Sequence, residues 1–123
     1  MNKLLISYIL IMENFMRPGK IIAEILTSKE CCNLSVHEAA VQLKVHTATL
    51  YRLLGGQASL SIEMAVRLSK LIPSIGLEVW MNLQRDYDIF TVKKLYNNLQ
   101  IKPLKTVNID NIKNILKKHT DTM

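Results

Sequence analysis

The sequence predicts an all-α fold: a five-helix domain with a central pair of short helices joined by a sharp turn, plus an extension at each end. Three observations predict it. Between residues 17 and 99 the apolar residues recur at spacings of three and four, and no alternating run of strand length interrupts them. Residues that start and stop helices punctuate the same stretch: Pro18, Ser35 and Ser61 as openers, Gly55, Gly56 and Pro73 as closers. Hydrophobic residues make up 49% of the 123, enough for one core and too many for general disorder.

Arg17, Pro18 and Gly19 open the first helix, because proline forfeits nothing at the first helical position. Ile21, Ile22, Ile25 and Leu26 form its apolar stripe, and it is expected to fade near 29–32. Ser35 to Glu38 (SVHE) is a capping box, the serine oxygen meeting a free N–H and Glu38 reaching back. Ala39, Ala40 and Leu43 are the buried side of that second helix. The third runs from about Thr47 to Leu54 and stops at Gly55 and Gly56. Ser61 caps a fourth over about 62–72, Glu63 suits the dipole in its first turn, and Pro73 ends it. A fifth spans about 77–99. Lys102-Pro103 then breaks the pattern, 104–109 is short enough to be extended, and Asp110 is the candidate cap of a last amphipathic helix. Ile112, Ile115 and Leu116 form its apolar side. A helix that short is unstable alone, so it docks or frays.

The chain therefore divides into an apolar N-terminal extension (1–15), the helical domain (16–99) and a basic tail with a short helix (100–123). The extension carries an apolar run at 4–12, shorter than the ~20 residues a membrane span requires. No small-residue cleavage site follows it. It is a non-targeting appendage: an element packed on the domain, a partner-binding segment, or codons read from an early start. Net charge is +6, which fits nucleic acid or another acidic partner as well as a solvated basic surface. Residues 17–95 hold ten Lys/Arg against seven Asp/Glu and residues 96–123 hold five against two, so the short tail carries as much excess as the domain. The two cysteines, Cys31 and Cys32, are adjacent and unsuited to bridging one another. With His37, His46 and His119 they make no zinc-ligand spacing. No metal and no cofactor are expected, and reduced thiols place the chain in the cytoplasm.

Only Lys44 to His46 separate the second and third helices, which forces the sharp turn of a helix-turn-helix unit. Ala40 is small where the two helices come closest, Val45 plugs the turn, and Leu43, Leu50 and Leu53 share a core. His46 is the third helix's N-cap. Lys44 holds a position where positive φ favours glycine. In such a unit the second helix enters the major groove of double-stranded DNA. Thr47, Ala48, Tyr51 and Arg52 are then the reading face, with Arg52 suited to guanine and Ala48 or the Thr47 methyl to thymine. Ser35, His46, Thr49 and Gln57 are better placed for phosphates, which position the helix without reading sequence.

Five segments carry a resemblance: RPG at 17–19, SVHEAAVQL at 35–43, LYRLLGGQ at 50–57, LSIEMAVRL at 60–68 and WMNLQRDYD at 80–88. From about residue 16 to 95 the chain resembles the HigA family of antitoxins, within the lambda-repressor-like, XRE-type helix-turn-helix proteins. The last two segments are the more specific. The resemblance implies a cytoplasmic homodimer that binds operator DNA and represses its own toxin–antitoxin operon. It also implies neutralisation of a cognate HigB-like toxin, an mRNA endonuclease. It covers neither extension.

Trp80, Leu83, Tyr87 and Phe90 recur at three, four and three along the fifth helix, as a core stripe or a homodimer seam. Enzyme classes find no support: no phosphate loop, paired carboxylates or nucleophile elbow is present. A stand-alone transcriptional regulator and a helical protein-interaction module are the alternatives.

Overall fold

Proline at the first helical position and one apolar stripe produce the first helix of the computed structural model, which describes residues 17–120. The expectations for residues 1–15 fall outside that range. Helix α1 is Pro18–Thr27, and the Arg17 carbonyl accepts the N–H groups of Lys20 and Ile21. It ends before residue 29. The Thr27 hydroxyl bonds the Ala23 carbonyl and the Ser28 hydroxyl bonds Glu30, so side chains compete for the terminal turn. The chain then folds back, with the N–H groups of Cys32 and Leu34 donating to the carbonyls of Ile25 and Leu26.

Helix α2 is Val36–Leu43, and the Ser35 hydroxyl accepts the Glu38 N–H at 3.1 Å, the serine's half of the expected box. Helix α3 is Thr47–Leu54. Helix α4 is Ile62–Leu71, its cap Ser61 accepting the Met64 N–H at 3.1 Å. Helix α5 is Leu77–Leu95, shorter than the expected 77–99. Among the described residues Leu95 and Leu99 stay exposed, and Asn97 and Asn98 favour the turn that follows. Helix α6 is Ile109–Thr120. Its cap is Asn108, whose Oδ1 accepts the Asn111 N–H at 3.1 Å, and not Asp110. A capping oxygen must precede the first helical residue to reach the third N–H, and Asp110 already lies inside. Residues 104–109 form no strand.

The core is shared by five helices. Ile22 and Leu26 of α1 meet Ala39, Ala40 and Leu43 of α2 and Leu50 and Leu53 of α3. Leu60, Met64, Ala65, Leu68 and Trp80 complete it. Helix α1 packs on α2, α3 and α5, while α4 bridges α2 and α5. Helix α6 packs on none of them, and every one of its residues is exposed. Among the described residues no helix is long and apolar enough to cross a membrane, and no cluster of His, Cys, Asp or Glu could hold a metal ion.

Candidate nucleic-acid interface

The turn between α2 and α3 sets the angle of everything that follows it. Lys44 sits at φ 59°, ψ 45°, in the left-handed region. Its N–H donates to the Val41 carbonyl at 3.1 Å, and the Val45 N–H donates to the Ala40 carbonyl at 3.0 Å. Those two bonds are the pair that closes a helix in a Schellman motif, and Val45 packs on the core beside them. Arg67 of α4 holds the same turn from outside. Its Nη1 donates to the carbonyls of Leu43 (2.9 Å) and Lys44 (3.2 Å), and its Nη2 pairs with Glu63 at 3.1 Å. Replacing Lys44 by glycine is expected to raise stability by about 0.5 kcal/mol. Relief of about 1 kcal/mol of left-handed strain is partly offset by the entropy glycine adds to the unfolded chain. Urea unfolding measures it, and a lower midpoint in the glycine variant would reject the strain.

From that turn α3 emerges with two unlike sides. Leu50 and Leu53 are buried, and Leu54 is half-buried against the core. Ala48, Tyr51 and Arg52 lie on the opposite side in the open, Tyr51 57% exposed. Thr47 and Thr49 flank that face, half-buried, and His46 precedes it, exposed with its ring making no cap bond. Gln57 lies past the helix end, where its N–H donates to the Arg52 carbonyl at 2.8 Å. Of the expected readers, Ala48, Tyr51 and Arg52 thus share one solvent face, while Thr47 and Thr49 stand at its edges.

His37 was not among the residues expected at this interface. Its Nδ1 lies 3.3 Å from the Thr47 hydroxyl, which sets the first turn of α2 beside the first turn of α3. His37 and Thr47 therefore meet at the starts of two helices, where first-turn N–H groups favour an anion, while Ser35 caps the first of these helices and Glu38 in the same turn opposes one. Only the three-dimensional turn brings residues 37 and 47 together. Arg67 was equally hidden, although its i,i+4 spacing to Glu63 is legible in the sequence.

The expected seam on α5 divides. Trp80 is fully buried in the core and unavailable to a second chain. Leu83 packs partly against that core, and Tyr87 and Phe90 are half-buried. The buried polar residue of α5 is Gln84, 5% exposed. Its Oε1 accepts the Leu60 N–H at 2.7 Å and its Nε2 donates to Asp88 at 2.8 Å.

Five packed helices, a left-handed turn between the second and third, and an exposed polar face on the third define a helix-turn-helix domain of the lambda-repressor type. No protein-family model matches the chain. Among curated proteins it is similar to an uncharacterised HTH-type transcriptional regulator, YddM, of Escherichia coli K12. The two are 36% identical over 95 residues, which are 77% of this chain and 97% of that one. Among solved structures it is similar to an addiction-module antidote protein of the HigA family from Coxiella burnetii. Identity there is 30% and the TM-score 0.63, over 72% of this chain and 96% of that one. Antitoxin HigA of Pseudomonas aeruginosa, solved with its higBA promoter, matches at 27% identity and a TM-score of 0.64, over 72% and 96%. The chain belongs to the HigA family of helix-turn-helix antitoxins. Its relatives are regulators and antitoxins rather than enzymes.

Proposed function

We propose that the chain is a cytoplasmic, homodimeric antitoxin that represses its own operon by laying α3 in the major groove of operator DNA, and that it neutralises a HigB-like mRNA endonuclease. The exposed face of Ala48, Tyr51 and Arg52, opposite the buried Leu50 and Leu53, carries the DNA half of the proposal. Arg52 pairs with guanine, and Ala48 or the Thr47 methyl packs on thymine. Tyr51 lies between them on the same face. Ser35, His46, Thr49 and Gln57, joined by His37, hold phosphates. A second copy supplies the second half-site, about one helical turn of DNA away. In this scheme residues 16–99 are the DNA-binding unit, with 1–15 and 100–123 as additions to it.

Arg52→Ala is expected to weaken operator binding about 5- to 150-fold, the equivalent of about 1–3 kcal/mol, and to relax discrimination at one base pair. Mobility-shift titration of wild type and variant against single-base operator variants measures both. Equal affinities would remove Arg52 from the reading face. A stand-alone regulator is the second possibility, favoured by the similarity to a transcriptional regulator from Escherichia coli. Co-expression with the protein encoded beside it separates the two, because an antitoxin co-purifies with its toxin and a stand-alone regulator comes down alone.

A further inference from the structure

The end of α2, the turn after it and the second half of α4 enclose an open cleft of about 450 Å³. That volume is in the range of small-molecule sites. Gln42, Leu43, Lys44, Arg67, Lys70 and Leu71 line it, so it holds three cations and no carboxylate. Glu63 answers one of the three from outside, pairing with the Arg67 Nη2 at 3.1 Å. Among the described residues Lys44 and Lys70 have no ion-pair partner. The carbonyls of Leu43 and Lys44, which would soften that charge at the end of α2, are already taken by the Arg67 Nη1.

We infer that this cleft binds a small phosphomonoester, with the dianionic head between Lys44, Arg67 and Lys70 and the body against Leu43 and Leu71. Two unanswered lysines match two negative charges, and phosphate offers an oxygen to each cation. Arg67 is held by two carbonyls and by Glu63, so its planar fork is set before a ligand arrives and keeps N–H groups to spare. Leu43 is buried and Leu71 half-buried, which gives the cleft an apolar wall. Gln42 adds an amide for a hydroxyl on the ligand. Lys70 lies in the last turn of α4, where the helix dipole favours a cation, so the cluster persists without its ligand. Once bound, the phosphate ties the turn that aims α3 to α4.

Amide NMR of the full chain, titrated with phenyl phosphate at constant ionic strength made up with chloride, tests the site. A pH of about 7.5 keeps the probe dianionic, above its second ionisation near 6. Inorganic phosphate and phenol are the companion probes. Shifts should saturate and centre on residues 42–45 and 67–71. The ester should bind about threefold or more tightly than inorganic phosphate, and phenol alone should not saturate. Lys70→Gln and Lys44→Gly should each weaken the ester about fivefold or more. Glycine suits the left-handed turn, so lost binding there reports the cation rather than the fold. Lys29→Gln, the same charge removed from the α1–α2 connection, should bind as wild type does. Shifts that rise linearly or scatter over every lysine would reduce the cleft to diffuse charge, and full binding by both cleft variants would dismiss it. Operator DNA carries the same chemistry, so a last arm adds the ester to the operator complex. Both should bind together. Mutual exclusion, with each cleft variant lowering the salt slope of operator binding by about one, would give the cleft to the DNA backbone and overturn the free ligand.

Discussion

Gly19→Ala is expected to cost about 3 kcal/mol and lower the melting temperature by about 15 °C. Gly19 is the second residue of α1 and is buried where that helix crosses the end of α3. A methyl group there would overlap the Leu53 carbonyl oxygen and stand 3.2 Å from the Leu54 Cα. Both are backbone atoms, so no side chain can swing away and the two helices must part. Alanine's better helix propensity returns at most about 1 kcal/mol, too little to offset a collision of that depth. The same crossing anchors α3 through Arg17, whose Nη1 donates to the Gly55 carbonyl at 3.2 Å. Operator affinity should therefore fall with stability. Gly76→Ala is the control: nothing lies within 4 Å of its added carbon, and the cost should stay below about 1 kcal/mol. Equal melting temperatures for the Gly19 variant and wild type would show that α1 and α3 do not meet there.

Helix starts were legible because caps are local. Ser35 and Ser61 each bind an N–H three residues on, a relation written in the sequence itself. The left-handed Lys44 was legible for a similar reason, since three residues between two apolar periodicities leave few ways to turn. Helix ends were less so. Periodicity carried α5 on to Leu99, but Leu95 and Leu99 stay exposed among the described residues, and that is a property of the whole fold. The face of α3 could be drawn on a helical wheel, which groups Thr47, Ala48, Tyr51 and Arg52; the last three are exposed and Thr47 is half-buried at the edge. What the wheel cannot hold is a contact between elements. His37 beside Thr47, Arg67 on the turn and Gln84 beneath Leu60 join residues 10, 24 and 24 positions apart. A glutamine among leucines on a helix has no signature that separates a buried bridge from a solvated side chain.

Gln84→Ala is accordingly expected to destabilise the domain by about 3 kcal/mol. Leu60 lies in the connection between α3 and α4, is buried, and finds its N–H partner in the Gln84 carbonyl oxygen. Removing that oxygen leaves a dry donor, which costs about 1–3 kcal/mol, and the void adds to it. Gln84→Glu separates the two contributions. The carboxylate keeps an acceptor for Leu60 but replaces the donor that faces Asp88 with a second negative charge. Burial and that neighbour both raise the introduced carboxyl's pKa. A group raised in the folded state is fully stabilising below its unfolded value of about 4.3 and loses that contribution as pH rises through the folded value. The glutamate variant should therefore approach wild type near pH 4, where a protonated carboxyl can again donate to Asp88. By pH 7 it should fall well below wild type, while the alanine variant's deficit stays nearly constant. Urea unfolding of the three proteins at both pH values measures this, and an alanine variant within 1 kcal/mol of wild type would mean that Leu60 finds another partner. Operator binding adds a second readout. Gln84 supports the connection behind α3 and touches no base, so its loss should lower affinity for every operator variant alike, whereas Arg52→Ala should alter the preference at one position.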